Sequence, residues 1–178
     1  MQIVENRKAL ENILKYPVRG FSYPYGLYNE KIKDILENLG IEYARTVKVT
    51  NNFDLPDDFY EWNGTCRHID ENLMNLCDEF LSINQSNRLN LMYVWGHSYE
   101  FERDNNWSLI EDFCRKVGNR NDIWYATNIE IVDYLKAYEN LKFSFNGDFV
   151  YNPGYKSVWI NCNNKIYEIK GGHKINLQ

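Results

Sequence analysis

Apolar and polar positions alternate in two different ways along this chain. Over residues 3–15, Ile3, Leu10, Ile13 and Leu14 recur at helical spacing, and Pro17 stops the run. RGFSYP at 19–24 reads as a strand entering a loop. Asn29 stands where an N-cap belongs. Ile32, Ile35, Leu36 and Leu39 form the apolar stripe behind it, and Gly40 follows as the C′ residue. EYARTV at 42–47 is the next predicted strand, followed by a long loop, NNFDLPDDFYEWNGTCRHI. Asp70 can cap a helix carrying Leu73, Cys77, Phe80 and Leu81. LNLMYVW at 89–95 is short, apolar and continuous, the pattern of a buried parallel strand. Asn106 can cap a helix bearing Ile110, Phe113 and Val117, closed by Gly118, and DIWYA at 122–126 reads as a further strand. Thr127 and Glu130 form a T-x-x-E capping box ahead of Ile131, Leu135 and Tyr138.

Helix and strand thus alternate four times over residues 1–139, which predicts an α/β domain with a parallel sheet. The stretch 141–170 differs. Its short runs FSF, FVY, SVWIN and KIYEI are separated by Asn, Gly and Pro, as in hairpins or a small antiparallel sheet. The expected division is therefore 1–140 for the α/β part and 141–178 for a β-rich tail. Four strands cannot close a barrel, and the first helix has no strand before it. The expected fold is an incomplete (β/α) barrel-like parallel sheet with a short C-terminal β-rich tail, leaving strand 19–24 as an open edge. An open edge beside Phe21 and Tyr23 implies a covering partner, either a second copy in a homo-oligomer or a chain supplying further N-terminal strands.

Composition narrows the function classes. The 178 residues carry a formal net charge of -5 and no basic stripe, which argues against a nucleic-acid partner. The longest apolar run, Leu91 to Trp95, is far too short to span a bilayer, so no membrane partner is expected. The N-terminal stretch MQIVENRKALENILKY has no apolar signal core. Cys66, Cys77, Cys114 and Cys162 are scattered without a CxxC pair and read as free thiols, so the expected location is the cytoplasm. The aromatic share is 16%, enough to fill a core and still leave rings on loops where sugars could stack.

Chemistry-bearing residues gather at predicted strand ends. VRGFSYPYG turns sharply where Pro24 fixes its φ and Gly26 tolerates a positive one. In α/β domains, loops at the C-terminal ends of strands build active sites, although Pro-Tyr-Gly taken alone is only a turn. In YVWGHSYEF, His97 lies just past the apolar strand and can exchange a proton near neutral pH, with Glu100 three residues on to orient it. In WNGTCRHID, Cys66, His68 and Asp70 would share one strand face, a conceivable ligand set, while a helix-capping role accounts for Asp70 without metal. Tyr23 and Trp95, rings at two strand ends, are candidate substrate contacts. So is Asn128, at a helix N-terminus, whereas Trp124 and Tyr125 read as core.

Together these segments resemble the polysaccharide deacetylases of the NodB-homology class. SYPYG stands in the place of that family's third motif, Arg-Pro-Pro-Tyr-Gly. LMYVWGH resembles its final motif, an apolar strand ending in His, and WNGTCRHID is similar to a PTCHHD-like loop of some bacterial members. The resemblance covers about residues 1–150 and implies hydrolysis of acetyl groups from amino sugars or other acyl-sugars, with carbohydrate as the partner. It implies His97 as the acid that protonates the leaving group and the Tyr25 backbone N–H as an oxyanion donor. In the family a divalent metal, commonly zinc, is held by Thr-Phe-Asp-Asp and His-x-x-x-His motifs. Neither occurs here, where the three histidines are His68, His97 and His173, and Ser22 stands where the family has its arginine. No metal ligand is therefore assigned in this chain, and zinc is expected only of a complete domain. The alternative expectation is a catalytically inactive carbohydrate-binding fragment.

Overall fold

A computed structural model describes residues 2–83 and 88–177, which divide into two compact units, 1–125 and 126–178. The first begins with α1 (Gln2–Leu14), β1 (Gly20–Ser22), a 3-10 turn at Pro24–Gly26, α2 (Glu30–Asn38) and β2 (Tyr43–Val49). The Asn29 side chain caps α2 by accepting from the Ile32 amide, and Gly40 ends it with a φ of +71°. β1 and β2 are parallel, with Gly20 opposite Tyr43. Leu36, Ile41, Ala44 and Tyr23 bury together between helix and sheet.

The segment expected to be a long loop instead supplies two strands, β3 (Trp62–Gly64) and β4 (Cys66–Arg67). β3 pairs parallel with β2, and β4 pairs parallel with β5 (Val94–Trp95). Thr65 is the switch between them. Its amide donates to Tyr93 O at 2.8 Å, while its carbonyl accepts from the Asn51 amide at 3.0 Å. A parallel array in chain order results, with α3 (Leu73–Ser82) crossing from β4 to β5. No closed barrel forms among the described residues, so the mixed α/β class holds and the barrel-like closure does not appear. The predicted strand 89–95 shortens to its last two residues, although Leu91 and Tyr93 still make backbone bonds to Phe53 and Thr65.

Past β5 come α4 (Ser98–Arg103) and α5 (Trp107–Val117). DIWYA is not a strand. Trp124 and Tyr125 are exposed rather than core, and the Tyr125 hydroxyl donates to Val117 O. An apolar run alone does not make a strand.

The second unit holds α6 (Asn128–Glu139) and β6 (Lys142–Phe143), β7 (Phe149–Tyr151), β8 (Val158–Cys162), β9 (Lys165–Ile169) and β10 (Lys174–Asn176). Thr127 and Glu130 form the expected capping box. The strands are antiparallel, in the order β10-β7-β6 with a separate β8-β9 hairpin. Asn163 and Asn164, both at positive φ, make that hairpin's two-residue turn. The compact units divide at 125/126 rather than at the expected 140/141, because Tyr134 and Ala137 of α6 pack on the core of Leu141, Val150, Val158, Ile160 and Ile169.

Asn152 fastens this unit from inside. It is fully buried, its Nδ2 donates to Lys156 O and Ile169 O, and its Oδ1 accepts from the Gly154 amide. Asn152→Ala leaves the Ile169 and Lys156 carbonyls and the Gly154 amide short of a partner. It is expected to cost about 2 kcal/mol of this unit's stability in urea unfolding, whereas an effect below ~0.5 kcal/mol would show the bonds to be replaceable.

Candidate active-site edge

The C-terminal ends of β1, β4 and β5, with Arg45 inside β2, carry the candidate residues. After β1, the Tyr23 amide still donates to Arg45 O, so the ladder continues one residue and turns the Tyr23 ring inward. Tyr23 is 3% exposed, stacks on Tyr28 at 4.6 Å and donates its hydroxyl to Tyr60 O. Burial pushes that hydroxyl up to about 12. Tyr23, expected as a substrate-binding ring, is thus a core residue.

Tyr25 follows at φ 55°, a left-handed conformation uncommon for a residue with a Cβ. Gly26 continues it at φ +70°, where a Cβ would collide with Val47. The Tyr25 side chain is 92% exposed, and its amide has no acceptor among the described residues. A strained turn that presents a free backbone N–H at a strand end suits an oxyanion donor.

His97 is the N-cap of α4, immediately past β5, with its side chain half in solvent at 51% exposure. Glu100 lies under it and is buried at 5% exposure. The His97 amide points at Glu100 Oε2 at 3.4 Å, and the His97 ring Nδ1 lies 3.5 Å from the same oxygen. Arg67 Nη2 donates to both Glu100 oxygens, at 2.8 and 3.0 Å. His68 Nε2 lies 2.7 Å from Oε2 and serves as donor to the carboxylate. Burial alone would push the Glu100 carboxyl up. The hydrogen bonds from His68, Arg67 and the His97 amide, with the Arg67 charge, outweigh it and hold the group at about 2. The edge therefore carries a permanent buried carboxylate that fixes the start of α4 and the backbone of His97.

Trp95 ends β5 with the edge of its indole against Gly64, where any Cβ would strike the ring. The Arg45 guanidinium sits 4.7 Å from the Trp95 ring centroid and that of Arg67 5.3 Å. Asn128, the candidate substrate contact, opens α6 in the second unit.

The possible ligand trio separates. Cys66 is buried in the core with Leu73 and Leu76, and burial pushes its thiol up to about 11. His68 turns to Glu100, and Asp70 accepts from the Asn72 amide, leading into α3. Among the described residues no three His, Cys, Asp or Glu side chains converge on a point. A thiol raised by burial in an apolar core and an aspartate turned to the Asn72 amide do not fit a zinc site, which needs a thiolate and converging ligands.

Glu100 was weighed from sequence only as a partner for His97, and the roles of Arg45, Arg67 and His68 were missed. One signal was present. Trp62, Gly64, Cys66 and His68 are all buried while Asn63 and Arg67 are more exposed, a near period-2 pattern broken by buried Thr65 and disguised by polar letters.

Residues 1–44 match the model of the polysaccharide deacetylase family, a stretch that runs from α1 to the first residues of β2 and includes Tyr25. No curated protein and no solved structure matches the chain. No helix among the described residues is long and apolar enough to cross a membrane.

Proposed function

We propose that this chain forms the acid and oxyanion side of a carbohydrate deacetylase, acting on the acetyl groups of amino sugars or other acyl-sugars. The observation that carries the reading is the placement of His97, half exposed at the end of β5, on the array whose first turn, Pro24–Gly26, falls in the family-matched stretch. The Tyr25 N–H would donate to the carbonyl oxygen as it gains charge, and the His97 ring would give a proton to the departing nitrogen or oxygen as its bond to the acyl carbon breaks. Glu100 is a positioning residue that holds His97 by its backbone. In the family's chemistry a divalent metal supplies an activated water. Among the described residues no such cluster forms, so the reading assigns the metal's ligands to other polypeptide. A second reading, a carbohydrate-binding unit without turnover, is favoured by the structural use of Cys66, His68 and Asp70.

Acetylated chito-oligomers incubated with the purified chain and added zinc test both. The chain is expected to bind the oligomers in affinity electrophoresis and to release no acetate. Chelator-sensitive acetate release would overturn the assignment of the metal ligands to other polypeptide. Failure to retard any acetylated sugar would overturn both readings.

A further inference from the structure

Arg45 stands apart from the other arginines. Each of the other seven has a carboxylate within ion-pair distance. Arg45 has none among the described residues, although the chain carries a surplus of acidic groups and a formal net charge of -5. Its bonds are neutral: Nη1 donates to Thr46 O and Nη2 to Ser22 Oγ, each at 2.8 Å. These use two of a guanidinium's five N–H donors. The group is nonetheless held in place, between the end of β1 and the face of Trp95, with Arg67 against the same ring. Arg67 is neutralised by Glu100 and Arg103 by Asp104, so the cluster keeps one uncompensated positive charge against Trp95, whose ring centroid lies 6.5 Å from that of His97.

Resting on the deacetylase reading, we propose that Arg45 and Trp95 form a subsite for an acidic sugar, with Arg45 receiving the carboxylate of a uronic acid residue. The planar fork of a guanidinium matches a carboxylate in a bidentate pair. A single excess charge suits a mono-anion better than a dianionic phosphate ester. The Trp95 ring packs against the guanidinium and holds its plane in place for the ligand. Fixing the guanidinium in advance through Ser22 and Thr46 lowers the ordering cost of binding. Ser22 thereby acquires a role: it braces Arg45 where the family's motif has an arginine of its own.

Titration calorimetry with a galacturonic acid trimer and its methyl ester tests this on the whole chain. The acid is expected to bind about tenfold or more tightly than the ester, as a charge-assisted pair implies. Arg45→Gln, which keeps hydrogen-bond donors but not the charge, should bring the acid-to-ester affinity ratio close to one. The preference should also shrink between ~0.05 M and ~0.5 M NaCl, a wild-type readout that does not depend on the variant folding. Equal affinity for acid and ester, a preference that survives Arg45→Gln or high salt, or no binding of the acid would each overturn the subsite. Binding of the neutral acetylated oligomers is measured separately, so failure here leaves the deacetylase reading standing.

Discussion

A Gly96→Ala chain is expected to lose about 3 kcal/mol of stability or more, the upper range for forcing atoms into a packed site. The position looks innocuous in the sequence WGHS. In the structure a Cβ on Gly96 would fall within the His68 ring. His68 cannot move aside cheaply. It is 3% exposed, its ring centroid is 4.3 Å from that of Phe101, and its Nε2 faces Glu100. Displacing the ring would break the bond to a buried carboxylate and shift the start of α4, which carries His97. The melting temperature should fall on the order of 10 °C for a unit of this size. A shift of under ~2 °C would mean that the β5–α4 turn relaxes freely and that His68 does not lock it. Gly96→Ala should also impair any His97-dependent chemistry, because the two residues are adjacent in the turn.

Glu100→Gln is expected to be comparably damaging, by about 3 kcal/mol, since it leaves Arg67 and His68 beside a neutral group in a buried setting. Its distinguishing mark is pH dependence. The folded carboxyl is held at about 2, below the ordinary glutamate value of about 4.3. A group with a depressed folded value contributes stability that is fully present above its unfolded value and is lost as pH falls through the folded one. The wild type should therefore weaken between about pH 4.5 and pH 2 relative to neutral pH. Glu100→Gln, already without that contribution, should show a flatter profile there. Urea unfolding at pH 7 and pH 3 checks both parts. If the variant kept the full wild-type pH dependence, the stabilising carboxylate would have to be another one.

Much of the local structure could be read from the chain. The Asn29 cap, the C′ turn at Gly40, the capping box at Thr127 and Glu130 and the short strands after residue 140 all follow from neighbouring residues, and each is realised. These features depend on backbone groups only a few positions apart, where side-chain type decides the outcome. His97 just past an apolar strand was readable for the same reason, as was the turn that puts Tyr25 at positive φ.

Tertiary pairing decided the rest. β3 and β4 arise in a segment whose composition says loop, because β2 and β5 offer their edges on either side of Thr65. DIWYA, apolar enough for a strand, stays irregular. Tyr23 goes into the core because the ladder extends one residue past β1, a matter of register rather than residue type. The charge pattern at the site follows the same logic. Arg45, Arg67, Trp95 and Glu100 come from four separate elements and meet only when the strands lie side by side. Sequence by itself determined which side chains and local turns were available. Only the tertiary structure decided that Glu100 would be buried against Arg67 and His68 while Arg45 kept its charge unmatched, because charge compensation depends on distance in space and not along the chain.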